Sequence, residues 1–250
     1  MCFLHWRGRV FRGGNAVVST VPLGIPELDR DLGGGIPTPS LILIEGAHGS
    51  GKTVFVQQIV HSMLKNKSKV YVISSEAMIK EYLTMMESIR LNPYNYYMYG
   101  YLRIYPLHVG GGKWSKTMSS NFLAVTTNFL EIKKQNYDTV VIDSLSVLTI
   151  DTPLYEFLTF ITHIKNLVSN GKTVILTIHP DFLSQESVMK LRANSDAYFV
   201  MENACISGID VKLLKTVKLW GVNGERKSSI TLAINPQIGL RVMPLSGVTI

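Results

Sequence analysis

Gly46-Ala47-His48-Gly49-Ser50-Gly51-Lys52-Thr53 matches the pattern G-x-x-x-x-G-K-[ST] in full. In such a loop the backbone N–H groups at a helix start have no partner inside the helix and converge on anionic oxygens, while the helix dipole adds partial positive charge. Lys52 then supplies a mobile point charge for the β- and γ-phosphates, and the Thr53 hydroxyl is a candidate ligand of Mg²⁺. The chemistry implied is the binding of a nucleoside triphosphate. Three further polar residues each close an apolar run: Glu76 after Lys69 to Ser74, Asp143 after Tyr137 to Ile142, and His179 after Lys172 to Ile178. An acid at the end of a buried strand, downstream of a phosphate loop, is the expected second partner of Mg²⁺, so Asp143 joins Thr53 as a metal candidate, a capping role being the alternative. Glu76 either orients an attacking water in phosphoryl transfer or serves the dipole of the helix that follows. His179 is either a structural histidine or a sensor of the γ-phosphate.

The elements that must position these groups are legible as runs and periods. Leu41 to Ile44 reads as a buried strand into the loop, and Val54 to Leu64 has helical spacing out of it. Met78 to Arg90 is predicted helical, Asn92 to Gly100 a loop, Leu102 to Val109 a third strand, and Gly110 to Lys116 a connection suited either to stacking on a base or partner or to plain solvent exposure. A helix over Thr117 to Gln135 is predicted to bury Phe122, Val125, Phe129 and Ile132, and a second helix over Pro153 to Asn170 ends at Gly171. Five near-continuous apolar strands separated by helices or long crossovers describe a parallel sheet wound on both faces, with ligands at the C-terminal edges of the strands. From Ala197 onward the runs Ala197 to Met201, Val211 to Leu219, Ser229 to Ile234 and Leu240 to Pro244 look antiparallel, with Gly208 and Asn235-Pro236-Gln237 between them.

With 250 residues the chain can bury a full α/β core. Cys2 and Cys205 stand far apart without C-x-x-C spacing, which suggests free thiols and a reducing compartment. No apolar run reaches the roughly 18 residues that span a bilayer, so membrane association is expected only peripherally or through a partner. The net charge of +7 is spread along the chain apart from Arg7, Arg9 and Arg12, and residues 1–18 read as a disordered extension before a single domain at 19–250.

The phrase Gly24-Ile25-Pro26-Glu27-Leu28-Asp29, then Leu32-Gly33-Gly34-Gly35-Ile36-Pro37, directly before strand and phosphate loop, resembles the opening of KaiC-type ATPases, a branch of the RecA-like superfamily. The likeness implies a RecA-like P-loop NTPase fold, mostly parallel with helices on both faces and a C-terminal antiparallel extension. KaiC-type proteins carry two adjacent catalytic glutamates where this chain has Ser75-Glu76. Thr216-Val217-Lys218-Leu219-Trp220-Gly221 resembles the segment whose lysine, and an arginine two positions later, reach the neighbouring subunit's ATP; Lys218 matches the lysine and Trp220 stands at the arginine. Resemblance thus makes ATP the expected nucleotide, gives Glu76 and Lys218 catalytic parts and implies weakened hydrolysis. Further phrases, among them Leu102-Arg103-Ile104-Tyr105-Pro106-Leu107, Thr177-Ile178-His179-Pro180-Asp181 and Val242-Met243-Pro244-Leu245-Ser246, are similar to the KaiC-like ATP-binding subunits of archaeal flagellum (archaellum) motors. That likeness implies a cytoplasmic, ring-forming homo-oligomer that docks on a motor ATPase and membrane platform at the inner face of the cell membrane and regulates assembly or rotation. Two other classes remain. A KaiC-type autokinase would use Ser75, Ser144 or Ser146. A RecA-type DNA-dependent ATPase lacks room here for a separate DNA-binding domain, and Pro180 to Ser195 is short for a mobile DNA loop, so no nucleic-acid partner is expected.

Overall fold

A computed structural model describes residues 18–107, 116–150, 152–206, 208–222, 224–236 and 238–243, with side chains withheld at 116–120. The expectations for the N-terminal extension, for Cys2, for most of the glycine run at 110–116 and for the final Pro244-Leu245-Ser246 lie outside the described residues.

The elements in chain order are β1 (Ser19–Val21), α1 (Pro26–Asp31), β2 (Ile36–Thr38), β3 (Leu41–Gly46), α2 (Lys52–Lys65), β4 (Val70–Ser74), α3 (Ile79–Ser88), α4 (Tyr94–Met98), β5 (Leu102–Pro106), α5 (Lys116–Lys133), β6 (Thr139–Asp143), α6 (Leu145–Leu148), α7 (Leu154–Ser169), β7 (Thr173–Ile178), α8 (Gln185–Asn194), β8 (Ala197–Ile206), β9 (Ile209–Leu219), β10 (Ser229–Asn235) and β11 (Gly239–Val242). β1 and β2 form a small antiparallel ribbon; the rest make a nine-stranded sheet in the order β11-β10-β9-β8-β3-β7-β6-β4-β5.

The strands are apolar almost without a break because both sheet faces are covered. Side chains alternate across a strand, and here Ile42 and Ile44 of β3 join one core with Phe55, Ile59 and Met63 of α2, while Leu41 and Leu43 join a second core with Phe157, Phe160 and Ile164 of α7. β6 divides the same way, Val141 to the first core and Val140 and Ile142 to the second. Helices therefore lie on both faces, as a parallel sheet with crossover connections requires.

Three expectations are corrected, and one helix is added. β8 is not purely antiparallel: it pairs parallel with β3 (Ile42 opposite Ala197 through Gly46 opposite Met201) and antiparallel with β9, so it is the last parallel strand and the first of the wing. The predicted loop Asn92 to Gly100 contains α4, started by the Asn92 carboxamide oxygen accepting from Tyr94 N–H at 3.2 Å. α5 buries Leu123, Thr126 and Leu130, whereas Val125 and Ile132 face solvent and Phe122 and Phe129 are half-buried. The added helix is α8, which Ser184 caps by accepting from Ser187 N–H at 3.2 Å.

Candidate functional site

The sheet order explains why residues distant in sequence meet. β3, β6, β4 and β7 run parallel, so the phosphate loop after β3, Glu76 after β4, Asp143 at the end of β6 and His179 after β7 leave the sheet at one edge. The loop has little room for side chains. A Cβ on Gly46 would lie 2.4 Å from the Met201 carbonyl oxygen, and Gly51, at φ +93°, ends the loop in the left-handed region before α2 begins.

Lys52 is buried, and its ammonium donates to the carbonyls of Gly46 (2.7 Å) and Ala47 (2.8 Å). Burial lowers its pKa, and the nearby Glu76 and Asp143 carboxylates oppose that shift. The Ser50 hydroxyl is buried at the loop with no hydrogen-bond partner among the described residues.

Asp143 is almost fully buried and accepts from the Thr177 hydroxyl at 2.6 Å, and the Thr53 hydroxyl lies near enough to favour its charged form. Burial is the main cause that pushes its carboxyl up to about 6; the Thr177 bond opposes it, Glu76 adds to it, and Lys52 and Thr53 oppose it again. Thr53 and Asp143 thus come together as a hydroxyl and a carboxylate, hard oxygen donors of the kind Mg²⁺ takes, and the buried charge of Asp143 is what a divalent cation would neutralise. The residues present fit that ion.

His179 links the rest. Its Nδ1 stands 3.4 Å from the Lys52 ammonium, which can only donate, so Nδ1 is the acceptor and the proton sits on Nε2, 3.1 Å from Glu76 Oε1. Burial chiefly, then the Lys52 charge, holds the His179 pKa below its ordinary value, although Glu76 pulls the other way. The backbone of His179 is fixed by Ser146, whose hydroxyl accepts from its N–H at 2.7 Å and lies 3.2 Å from its carbonyl. The His48 ring lies against the His179 ring at 4.1 Å, and Phe182 meets both edge-on. Ser75 is tied to the backbone of Ser144, accepting from its N–H at 3.0 Å and donating to its carbonyl at 3.2 Å.

Glu76, His179, Lys52, Thr53 and Asp143 are therefore one cluster. Lys218 is not part of it. It pairs with Tyr198, which pairs with Leu43, at the end of the sheet away from the loop, and its ammonium lies 4.9 Å over the Trp220 ring and 3.3 Å from the Ala193 carbonyl. Sequence reading missed Thr177, which strand alternation two residues before His179 would have placed on the same side. It also missed Ser146 as the support of His179. The Glu45 carboxylate, just before the loop, is held by Arg192 (3.0 Å to Nε) and by the Tyr198 hydroxyl (2.7 Å), an ion pair bridging β3, α8 and β8 that no local pattern foretells.

A family model described as the ATPase KaiC matches residues 21–246. The chain is 38% identical over 231 residues to the archaeal flagellar ATP-binding protein FlaH of Sulfolobus acidocaldarius, covering 92% of this chain and 98% of that protein. It is 27% identical to the protein of the same name from Methanocaldococcus jannaschii, over 90% of this chain and 95% of the relative. Among solved structures, the flagellar accessory protein FlaH of M. jannaschii superposes with a TM-score of 0.78 at 23% identity, covering 90% of this chain and 98% of the other. A KaiC-like protein of Pyrococcus horikoshii superposes at 0.69 and 21%, covering 91% and 100%. Both structural likenesses carry the RecA-like fold, with its mostly parallel sheet and antiparallel C-terminal wing.

Proposed function

The chain belongs to the KaiC-type ATPases and, among them, to the FlaH-type archaeal flagellar ATP-binding proteins, and from that footing we propose that it holds Mg·ATP as a slowly hydrolysed switch controlling assembly or activity of the archaellum motor. The observation that carries the reading is the convergence of the phosphate loop, Thr53 and Asp143 beside a Glu76–His179–Lys52 chain. In it the loop N–H groups and Lys52 bind the triphosphate, and Thr53 and Asp143 hold the ion. When bound, Mg²⁺ neutralises phosphate charge. Glu76 orients water, and His179, bonded to both Glu76 and Lys52, reports the state of the γ-phosphate side of the loop to the Ser146 segment that fixes its backbone.

Three features support slow turnover. The site offers one carboxylate at Ser75-Glu76, and it already accepts a hydrogen bond from His179. The Ser75 hydroxyl is engaged by the Ser144 backbone. Trp220 cannot donate the charged fork of an arginine, a contribution of roughly 10³ to 10⁵ in rate where one acts across a subunit boundary. Lys218 lies away from its own loop, which supports the reading that it acts on a neighbouring subunit in a homo-oligomeric ring. Docking on the motor ATPase and membrane platform, at the inner face of the membrane, completes the proposal. The autokinase alternative is less favoured, since the Ser75, Ser144 and Ser146 hydroxyls are all engaged by backbone groups.

The test pairs calorimetry with phosphate release. Lys52→Ala is expected to weaken Mg·ATP binding well over tenfold, on the order of 1.4 kcal/mol or more, and wild-type turnover to stay far below 1 s⁻¹. Equal affinity of variant and wild type overturns the site assignment, and turnover on the order of 1 to 10 s⁻¹ overturns the switch.

A further inference from the structure

The phosphate loop has a second lysine behind it. Lys212, on β9 and 163 positions from the loop contact it makes, donates to the Gly49 carbonyl at 2.7 Å and to the Asn203 carboxamide oxygen at 2.6 Å. Its stem also packs against the loop: a Cβ on Gly51 would meet Ile234 Cδ1 at 2.9 Å, Met201 Cε at 3.3 Å and Lys212 Cγ at 3.5 Å. The antiparallel wing, through β8, β9 and β10, is thus the back wall of the loop, as β6 and β7 are its front.

We infer that Lys212 is a positioning residue for the nucleotide, setting the Gly49–Ser50 peptide so that the loop presents donors to the phosphates, and that it thereby ties nucleotide loading to the β8–β9 hairpin. The inference rests on the nucleotide reading above. The C=O and N–H of one trans peptide point in opposite directions, so a donor that fixes the Gly49 carbonyl on the wing side turns the Ser50 N–H toward the loop interior, where it now donates to the Ala47 carbonyl across a long 3.3 Å bond that a phosphate oxygen would replace. A charged donor on that carbonyl also polarises the peptide and strengthens its N–H as a donor. The ammonium itself adds positive charge behind a loop built for anions. Asn203, one strand over, holds the ammonium in place by its second bond. Lys212 shares β9 with Lys218, so one strand touches the chain's own loop at one end and carries the candidate cross-subunit cation at the other.

The experiment compares Mg·ATP with AMP, which lacks the β- and γ-phosphates, by calorimetry on wild type, Lys212→Met, Lys212→Gln and Lys212→Arg, with Tm measured in parallel without nucleotide. Both neutral variants are expected to lose about tenfold in Mg·ATP affinity while AMP affinity changes less than about twofold, and Lys212→Arg, which still donates to a carbonyl, is expected to stay within about threefold of wild type for both ligands. A wild-type protein that binds Mg·ATP alongside neutral variants that bind it equally well overturns the inference. So does a fall in Tm with the ratio of ATP to AMP affinity unchanged, because Lys212 would then only hold the hairpin. A wild-type protein that binds no Mg·ATP overturns the nucleotide reading itself, and this inference with it.

Discussion

His61, on α2, shows how a single residue ties stability to pH. Its Nδ1 is buried without a hydrogen-bond partner among the described residues, and its ring meets Tyr96 edge-on at 6.1 Å. Burial first, and then the Lys65 charge, hold its pKa down to about 4, from an ordinary 6.5. A base whose folded pKa is depressed is protonated more readily in the unfolded chain. Stability is therefore retained above about pH 6.5, falls as pH drops through the window from about 6.5 to 4, and levels off below it, by at most about 3 kcal/mol for this group. Denaturant midpoints measured at about pH 4.5 and 7.5 should differ less in His61→Gln than in wild type; an unchanged difference would remove His61 as the cause.

At the scale of elements, α5 is the informative case. Its apolar residues satisfy more than one helical stripe, and the stripe through Val125 and Ile132 looks as good as the one through Leu123 and Leu130. The sheet decides between them: Leu123 and Leu130 pack into the second core with Tyr71, Tyr137 and Phe157, while Val125 is 59% and Ile132 75% exposed. Leu130→Ala should therefore cost about 2 to 5 kcal/mol, and Val125→Ser less than about 0.5 kcal/mol, both read from denaturant unfolding. The opposite order of effects would restore the Val125 and Ile132 stripe as the packed face.

For the molecule as a whole, the separation between the phosphate loop and Lys218 sets the expectation. Gly46 pairs with Met201 and Leu43 with Tyr198, so Lys218 lies three residues, roughly 10 Å, down the sheet from the loop's start and two strands away. A cation so placed contributes to nucleotide binding only if a second copy brings its own loop to it. ATP held between copies stabilises the assembly by its differential affinity for that state. Light scattering is expected to show a shift toward a homo-oligomer when Mg·ATP is added, and Lys218→Ala to blunt that shift while leaving the affinity of isolated copies within about twofold. A monomer at every protein and ATP concentration excludes the ring.

What the sequence determined by itself was whatever depends on neighbours in the chain. The phosphate loop, the helix it opens, and the apolar runs that end in Glu76, Asp143 and His179 are local patterns, and parallel strands buried on both faces leave no other composition open to them. Tertiary structure alone decided everything that depends on which strands lie side by side. Placing β7 between β3 and β6 is what brings His179 between Lys52 and Glu76 and Thr177 onto Asp143. The dual pairing of β8 is what carries Lys212 to the back of the loop and Lys218 away from it. Strand order is fixed by the summed packing of two cores across the whole chain, and no window of residues contains that sum.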